Sequence, residues 1–328
     1  MTTAPTFFAR LLHLVVIAAA LLLPGTAAAA DPAKPITILG ITLFEDLFFN
    51  DVVAGMKFQA KKEGVNLVLA NSNHDLATET RLIESYTKLG LGAIVLSPAD
   101  ANKSALALQK AHHQGIKIVA YNDALNADFV STTVSSSQNQ LGTSTGEAAR
   151  RYISTQLVGK ARIAVLCFDS LLPAQSDARV RGFLDAATKG LPDVKLVARQ
   201  DAWEAGPAIK KADDLLKAHP DIDIIFAANE GGTIGAQLAI KNAGKGKQIK
   251  VFGTDAAKQE IDMLLADDGI LQAVTGQHPY DMGARAIAAA VRAVKGQPVD
   301  KTVVIPGILL ARDKPQDIRS FRAQSDAR

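Results

Sequence analysis

The 328-residue chain has one cysteine, Cys167, so no disulfide can close within it and its fold must be held by a core. It also lacks the glycine-rich strings that announce nucleotide chemistry. No G-x-G-x-x-G follows the first strand-like run, and no G-x-x-x-x-G-K-[ST] occurs anywhere. Beyond the first thirty residues the histidines are His74, His112, His113, His219 and His278, none at metal-ligand spacing. No metal and no cofactor is therefore expected. An excess of one charge is missing too. With Arg10 set aside, 35 basic side chains face 33 acidic ones, which leaves no electrostatic footprint for nucleic acid. After residue 30 no run is long and apolar enough to cross a bilayer.

What is present begins with a leader. Arg10 precedes an apolar run, Leu11 to Leu23, broken only by His13; Pro24-Gly25 and then Ala28-Ala29-Ala30 follow. This is the layout of a cleaved secretory signal peptide over residues 1–30, too short for a span of ~20 apolar residues. Cys167 lies far from that cleavage site, so a lipid-anchored precursor is not expected.

The remainder alternates short β-branched runs with longer helical patterns. Ile36–Leu43, Asn66–Ala70, Ala93–Leu96 and Ile116–Ala120 read as strands with helices between them, and Phe129–Val134 reads as a short edge strand. The pattern then restarts at residue 141, with strands at Arg162–Phe168, Lys195–Arg199, Ile222–Ala227, Ile249–Phe252 and Leu271–Val274. Runs such as AIVL and IAVL have the continuous apolar character of strands buried on both faces. The fold class expected is α/β, two doubly wound parallel-sheet lobes joined by a hinge of several crossovers. The first lobe is assigned residues 31–136 plus 278–301, and the second 137–277 plus 302–328. Thr302–Leu310 is read as one final strand, and the crossovers are set near 135–138, 277–278 and 299–302.

Open parallel sheets bind ligands outside the carboxyl ends of their strands. Those ends carry Thr42 to Phe49, Asn71-Ser72, Ser97, Tyr121-Asn122-Asp123, Asp169, Asp201 to Glu204, Asn229-Glu230, Asp255 and Gln277. Carboxylates and amides can pair with vicinal hydroxyls, and flat rings can cover the C–H face of a sugar. Helix capping explains many such residues one by one, because Asp, Asn and Ser favour caps and turns. It does not explain Trp203 and Phe48-Phe49 among them.

The strings that carry a family likeness are "TLFEDLFFNDVVAGMKFQAKKEGVNLVLANS", "ARVRGF" at 178–183, "IIFAANEGGTIGA" at 224–236, "VFGTDA" at 251–256 and "GQHPYDMG" at 276–283. Together, in this order, they resemble the periplasmic monosaccharide-binding proteins of ABC sugar importers, of the ribose and galactose/glucose type, from Ile36 to Leu310. The resemblance implies a type I periplasmic binding protein, not an enzyme. It would be located in the periplasm, would act as a monomer, and would hand a monosaccharide to a membrane permease by hinge closure.

It also implies a site. Asp46 would bond a hydroxyl and Phe48, with Phe49 beside it, would stack on the ring. Asn122 would supply an amide, Asp177 an acid, Arg181 the ring-oxygen contact and Trp203 the second stacking ring. Asn229, Asp255 and Gln277 would complete the polar contacts. Asp46, Asn122, Asp177 and Trp203 lean towards a hexopyranose. Asp123 stands where the family carries a basic residue, Gln175 replaces a histidine, and Glu45 adds an acid, so one wall changes sign. A second class of reading keeps the fold and changes the partner: a receptor passing a sugar, polyol or furanosyl signal to a sensor kinase or chemoreceptor.

Overall fold

The computed structural model describes residues 35–326, and the leader read over residues 1–30 lies outside them. The first sheet starts with β1 (Thr37–Thr42), α1 (Leu47–Glu63), β2 (Asn66–Asn71), α2 (Leu76–Thr87) and β3 (Ala93–Leu96). It continues through α3 (Lys103–His113), β4 (Lys117–Tyr121) and β5 (Thr132–Ser135). The chain then crosses into α4 (Gln138–Gln156), β6 (Ala161–Cys167), α5 (Pro173–Thr188), β7 (Val194–Asp201) and α6 (Ala205–Ala218). The second unit finishes with β8 (Ile224–Ala227), α7 (Glu230–Asn242), β9 (Lys250–Thr254), α8 (Lys258–Leu265) and β10 (Leu271–Gly276). Last come α9 (Pro279–Val294), β11 (Thr302–Val304), β12 (Ile308–Ala311) and α10 (Pro315–Asp326).

Two six-stranded sheets result, in the orders β11-β5-β4-β3-β1-β2 and β12-β10-β9-β8-β6-β7. Every strand pair is parallel except β10 with β12. The apolar runs do what their composition requires. Ala93 and Val95 of β3 enter the core on one face of the first sheet, and Ile94 and Leu96 enter the core on the other. In β6, Ile163 and Val165 serve one face of the second sheet and Ala164 and Leu166 the opposite one. Side chains of successive strand residues point to opposite faces, so an unbroken apolar run is the signature of helices on both sides.

The end of the chain departs from the expectation of one strand at Thr302–Leu310. Residues 302–304 extend the first sheet, Thr302 pairing in parallel with Thr133, whereas residues 308–311 run antiparallel along β10. Between them lies Pro306-Gly307, and a proline there has no N–H to give to a ladder. The third crossover is thus at 305–307, and residues 302–304 belong with the first lobe rather than the second. The same strand corrects the reading of the segment before residue 135: β5 is covered by β11 and is not an edge.

The other crossovers deliver helices that pack back-to-back with a partner. After β10 the chain enters α9, which lies against α1 so closely that a methyl on Gly55 would collide with the Tyr280 carbonyl, and one on Gly283 with that of Val52. In the second lobe α4 and α5 make the same contact. Gly142 faces the Arg179 carbonyl and Gly182 that of Asn139. This explains the string Gly142-Thr143-Ser144-Thr145-Gly146, which has G-x-S-x-G spacing. A nucleophile elbow needs a strand-to-helix turn. Here the string lies inside α4, and its glycines serve helix packing.

Candidate functional site

The carboxyl ends of the two sheets face each other, and the cleft between them is closed by direct contacts. Gln175 of α5 donates from Nε2 to the Asn122 carbonyl across the cleft at 3.4 Å. The Phe44 ring, just after β1, meets Trp203, just after β7, with centroids 6.2 Å apart and planes tilted by 38°.

On the first lobe's side, Asp46 takes extended backbone and accepts the Phe49 N–H on Oδ1 at 2.8 Å, capping α1. Its surface is largely exposed, yet it lies deep enough between the lobes that burial pushes its carboxyl up. The Phe49 N–H partly opposes that shift and the charge of Asp255 adds to it. Asn122 has φ of 64°, donates to Ser97 Oγ at 3.3 Å and is 7% exposed. Asp123 accepts the Ala124 N–H at 2.8 Å, and burial raises its carboxyl as well.

The two phenylalanines separate. Phe49 is 5% exposed, packed beneath α1 in the core with its ring edge-on to Tyr121. Its ring lies in the core, because the i and i+1 positions of a helix point about 100° apart and only one can face the cleft. Phe48 stands perpendicular on Phe49 at 5.2 Å and borders a cavity. The ring opposite Trp203 is Phe44, not Phe48, and Phe44 also contacts His74 at 5.5 Å.

On the second lobe's side the expected arginine is displaced by two residues. Arg181 is exposed and bridges Asp177 at 3.0 Å along the outer face of α5, while Asp177 also lies 3.6 Å from Arg199. Neither Asp177 nor Arg181 is in the cleft. Arg179 is. Its side chain is buried, donating from Nε to Gln138 Oε1 at 2.6 Å and from Nη1 to the Ala228 carbonyl at 2.8 Å. Nη1 also lies 3.5 Å from Asp255 Oδ2, and the guanidinium sits 5.0 Å over the Phe168 ring. Positions 177 and 181 share one helical stripe, and 179, about 200° round from 177, lies opposite. Arg179 is buried on one stripe with Gln175, Ser176, Val180, Gly182 and Phe183.

Asp255, with φ of 80°, is the hub of this wall. Its Oδ1 accepts Gln277 Nε2 at 2.9 Å, and Oδ2 accepts the Glu230 N–H at 3.2 Å besides the Arg179 contact. Asn229 is engaged internally. Its Oδ1 accepts the Gly232 N–H as the cap of α7, and its Nδ2 donates to the Trp203 carbonyl at 2.8 Å. It positions Trp203 rather than facing the cleft with a free amide. Glu230, named among the strand ends but not among the implied ligand contacts, opens α7 beside it. Burial first, then the charges of Asp255, Asp46 and Asp51, push its carboxyl up to about 7. A cavity of about 290 Å³ runs along this end of the cleft, lined by Phe48, Asp51, Glu230, Asp255, Gln277 and Tyr280 among others.

Among the described residues no group of His, Cys, Asp and Glu could hold a metal ion. Cys167 is buried in β6, its thiol pushed up by burial and donating to Asp169, so it packs rather than reacts. The arrangement offers rings from both lobes, a buried cation and a crowd of oxygen acceptors. It can bind a polar solute.

Comparison with known proteins agrees with that chemistry. The ribose import binding protein of Bacillus subtilis is 29% identical over 277 residues, covering 83% of this chain and 86% of its own. The D-allose-binding periplasmic protein of Escherichia coli is 26% identical, covering 77% of this chain and 84% of its own. A solute-binding protein of an ABC transporter from Actinobacillus succinogenes, solved with bound D-allose, superposes with a TM-score of 0.77 at 25% identity. That match covers 87% of this chain and all of the other. The model of the periplasmic binding protein domain family matches residues 40–298, and the chain belongs to that family of solute-binding proteins.

Proposed function

We propose that the protein captures a monosaccharide, a hexopyranose, between its lobes in the periplasm and delivers it to the permease of an ABC importer. The observation that carries this reading is the convergence on one cleft of Asp46, Asn122 and Phe44 from the first lobe with Arg179, Trp203, Asp255 and Gln277 from the second. Charged and amide groups would meet hydroxyls at the edge of a sugar ring, and the flat rings would cover its C–H faces. Vicinal hydroxyls match such groups in pairs, and leaving a buried one unpaired costs about 1–3 kcal/mol, which is the source of discrimination between epimers. A leader over residues 1–30 supports export.

Capture proceeds by hinge bending about the crossovers at 136–137, 277–278 and 305–307, in a monomer whose closed form presents both lobes to the permease. The test is a thermal-shift screen over sugars, followed by calorimetry and by scattering with and without the best ligand. A ligand at ~100 times its dissociation constant adds ~2.7 kcal/mol of stability. A screen in which no sugar moves the melting temperature would sink the reading.

A further inference from the structure

Carboxyl groups crowd one end of the cleft beyond what hydroxyl recognition requires. Asp46 and Asp51 approach from the start of α1, and Glu230 and Asp255 from the second lobe. All four are close enough for Asp46, Asp51 and Asp255 to act on the Glu230 carboxyl. Arg179 lies 3.5 Å from Asp255 and is already bonded to Gln138 and the Ala228 carbonyl. Other basic side chains border the cavity but face acids of their own. Lys258 lies 3.1 Å from Asp262, Arg322 lies 2.9 Å from Asp262, and His278 lies 3.9 Å from Asp281.

Gln277 supplies a second and independent observation. It lines the same cavity and is 6% exposed, its Nε2 is bonded to Asp255, and its Oε1 is buried without a hydrogen-bond partner. Glu230, Asp255 and Gln277 thus bring acceptors together at this end of the cleft, and Gln277 Oε1 is without a donor. A sugar hydroxyl could satisfy Gln277, but it would leave the carboxylates facing one another. An ammonium carries three donors, no acceptor and a positive charge, and it answers both needs at once.

We propose that the preferred solute is an amino sugar, its protonated amine seated among Glu230, Asp255 and the Gln277 carbonyl oxygen. This rests on the sugar-binding reading and narrows it. The Glu230 carboxyl stands at about 7 without ligand, so it is part-protonated at neutral pH. A bound ammonium holds it ionised, and binding should release a fraction of a proton to buffer.

The experiment is calorimetry at pH 7 on glucosamine, galactosamine and mannosamine, each beside its neutral parent and its N-acetyl derivative, in two buffers of different ionisation heat. At least one amine is expected to bind ten-fold or more tightly than both of its partners, with proton release. Glu230→Gln should narrow that preference by ten-fold and abolish the release. Apo melting temperatures check that the variant folds, and Asp51→Asn carries the same comparison if it does not. Neutral parents binding as tightly as their amines would overturn this inference and leave sugar binding standing. Failure of every sugar, charged or neutral, would overturn both.

Discussion

In the first lobe the cleft residues are held by short local contacts: Asp46 caps its own helix, Asp123 its own turn, and Asn122 reaches Ser97 on the neighbouring strand. In the second lobe Asp255 ties together Arg179, Gln277 and the start of α7, and Arg179 extends the net to α4 and to the end of β8. Both walls grow from strand ends of similar sheets. Their difference decides how each responds to change. A locally held residue can be removed with little effect beyond the ligand it touches, whereas a hub leaves buried partners unanswered. Binding and stability should therefore separate on the first wall and move together on the second.

The largest effects test that coupling. Asp255→Ala should cost the apo protein ~3–5 kcal/mol, because it strands a buried guanidinium, while Asp255→Asn should recover much of it. Equal melting temperatures for Asp255→Ala and the parent would break the comparison. Phe49→Ala should cost a similar ~3–5 kcal/mol as a cavity in the first lobe's core and leave affinity largely intact if the fold survives. Phe48→Ala should do the reverse.

Next in size are the facing rings. Trp203→Ala and Phe44→Ala should each weaken binding of the best sugar ten-fold or more, about 1.4 kcal/mol, with a smaller loss of apo stability. Should Phe44→Ala leave affinity unchanged, the first wall's ring contact is a packing contact only.

Titration probes the second wall through one group. The Glu230 carboxyl lies at about 7 when folded, against an ordinary value of 4.5. A group whose folded value is raised holds more protons folded than unfolded between those limits. Its contribution is complete below about 4.5 and is lost as pH rises through about 7, so apo stability should fall over that window. Denaturant melts at pH 5 and pH 8 check this, and Glu230→Gln should shrink the difference. The smallest effect belongs to the outer stripe of α5. Arg181→Ala removes an exposed i,i+4 pair and should change stability by no more than ~0.5 kcal/mol and affinity not at all. A ten-fold loss of affinity there would return Arg181 to the cleft.

Much of this was legible in the residues. Alternation of apolar runs with helical patterns yields two parallel α/β lobes, since a strand apolar on every position must be covered on both faces. The candidate site was sought at the carboxyl ends of those strands, where Asp46, Asn122, Trp203, Asp255 and Gln277 stand. Three features were beyond a one-dimensional reading. The phase of α5 decided between Arg179 and Arg181, and two residues of shift turn a helix side chain to the opposite face. The split of 302–311 between sheets depended on which edge remained open to pair. The raised carboxyl of Glu230 arises from burial first and then from acids distant in sequence, Asp255 in its own lobe and Asp46 and Asp51 from the other. Periodicity is a local property that the chain carries by itself. Charge crowding, helix phase and edge pairing are properties of neighbours, and only the tertiary structure assigns those.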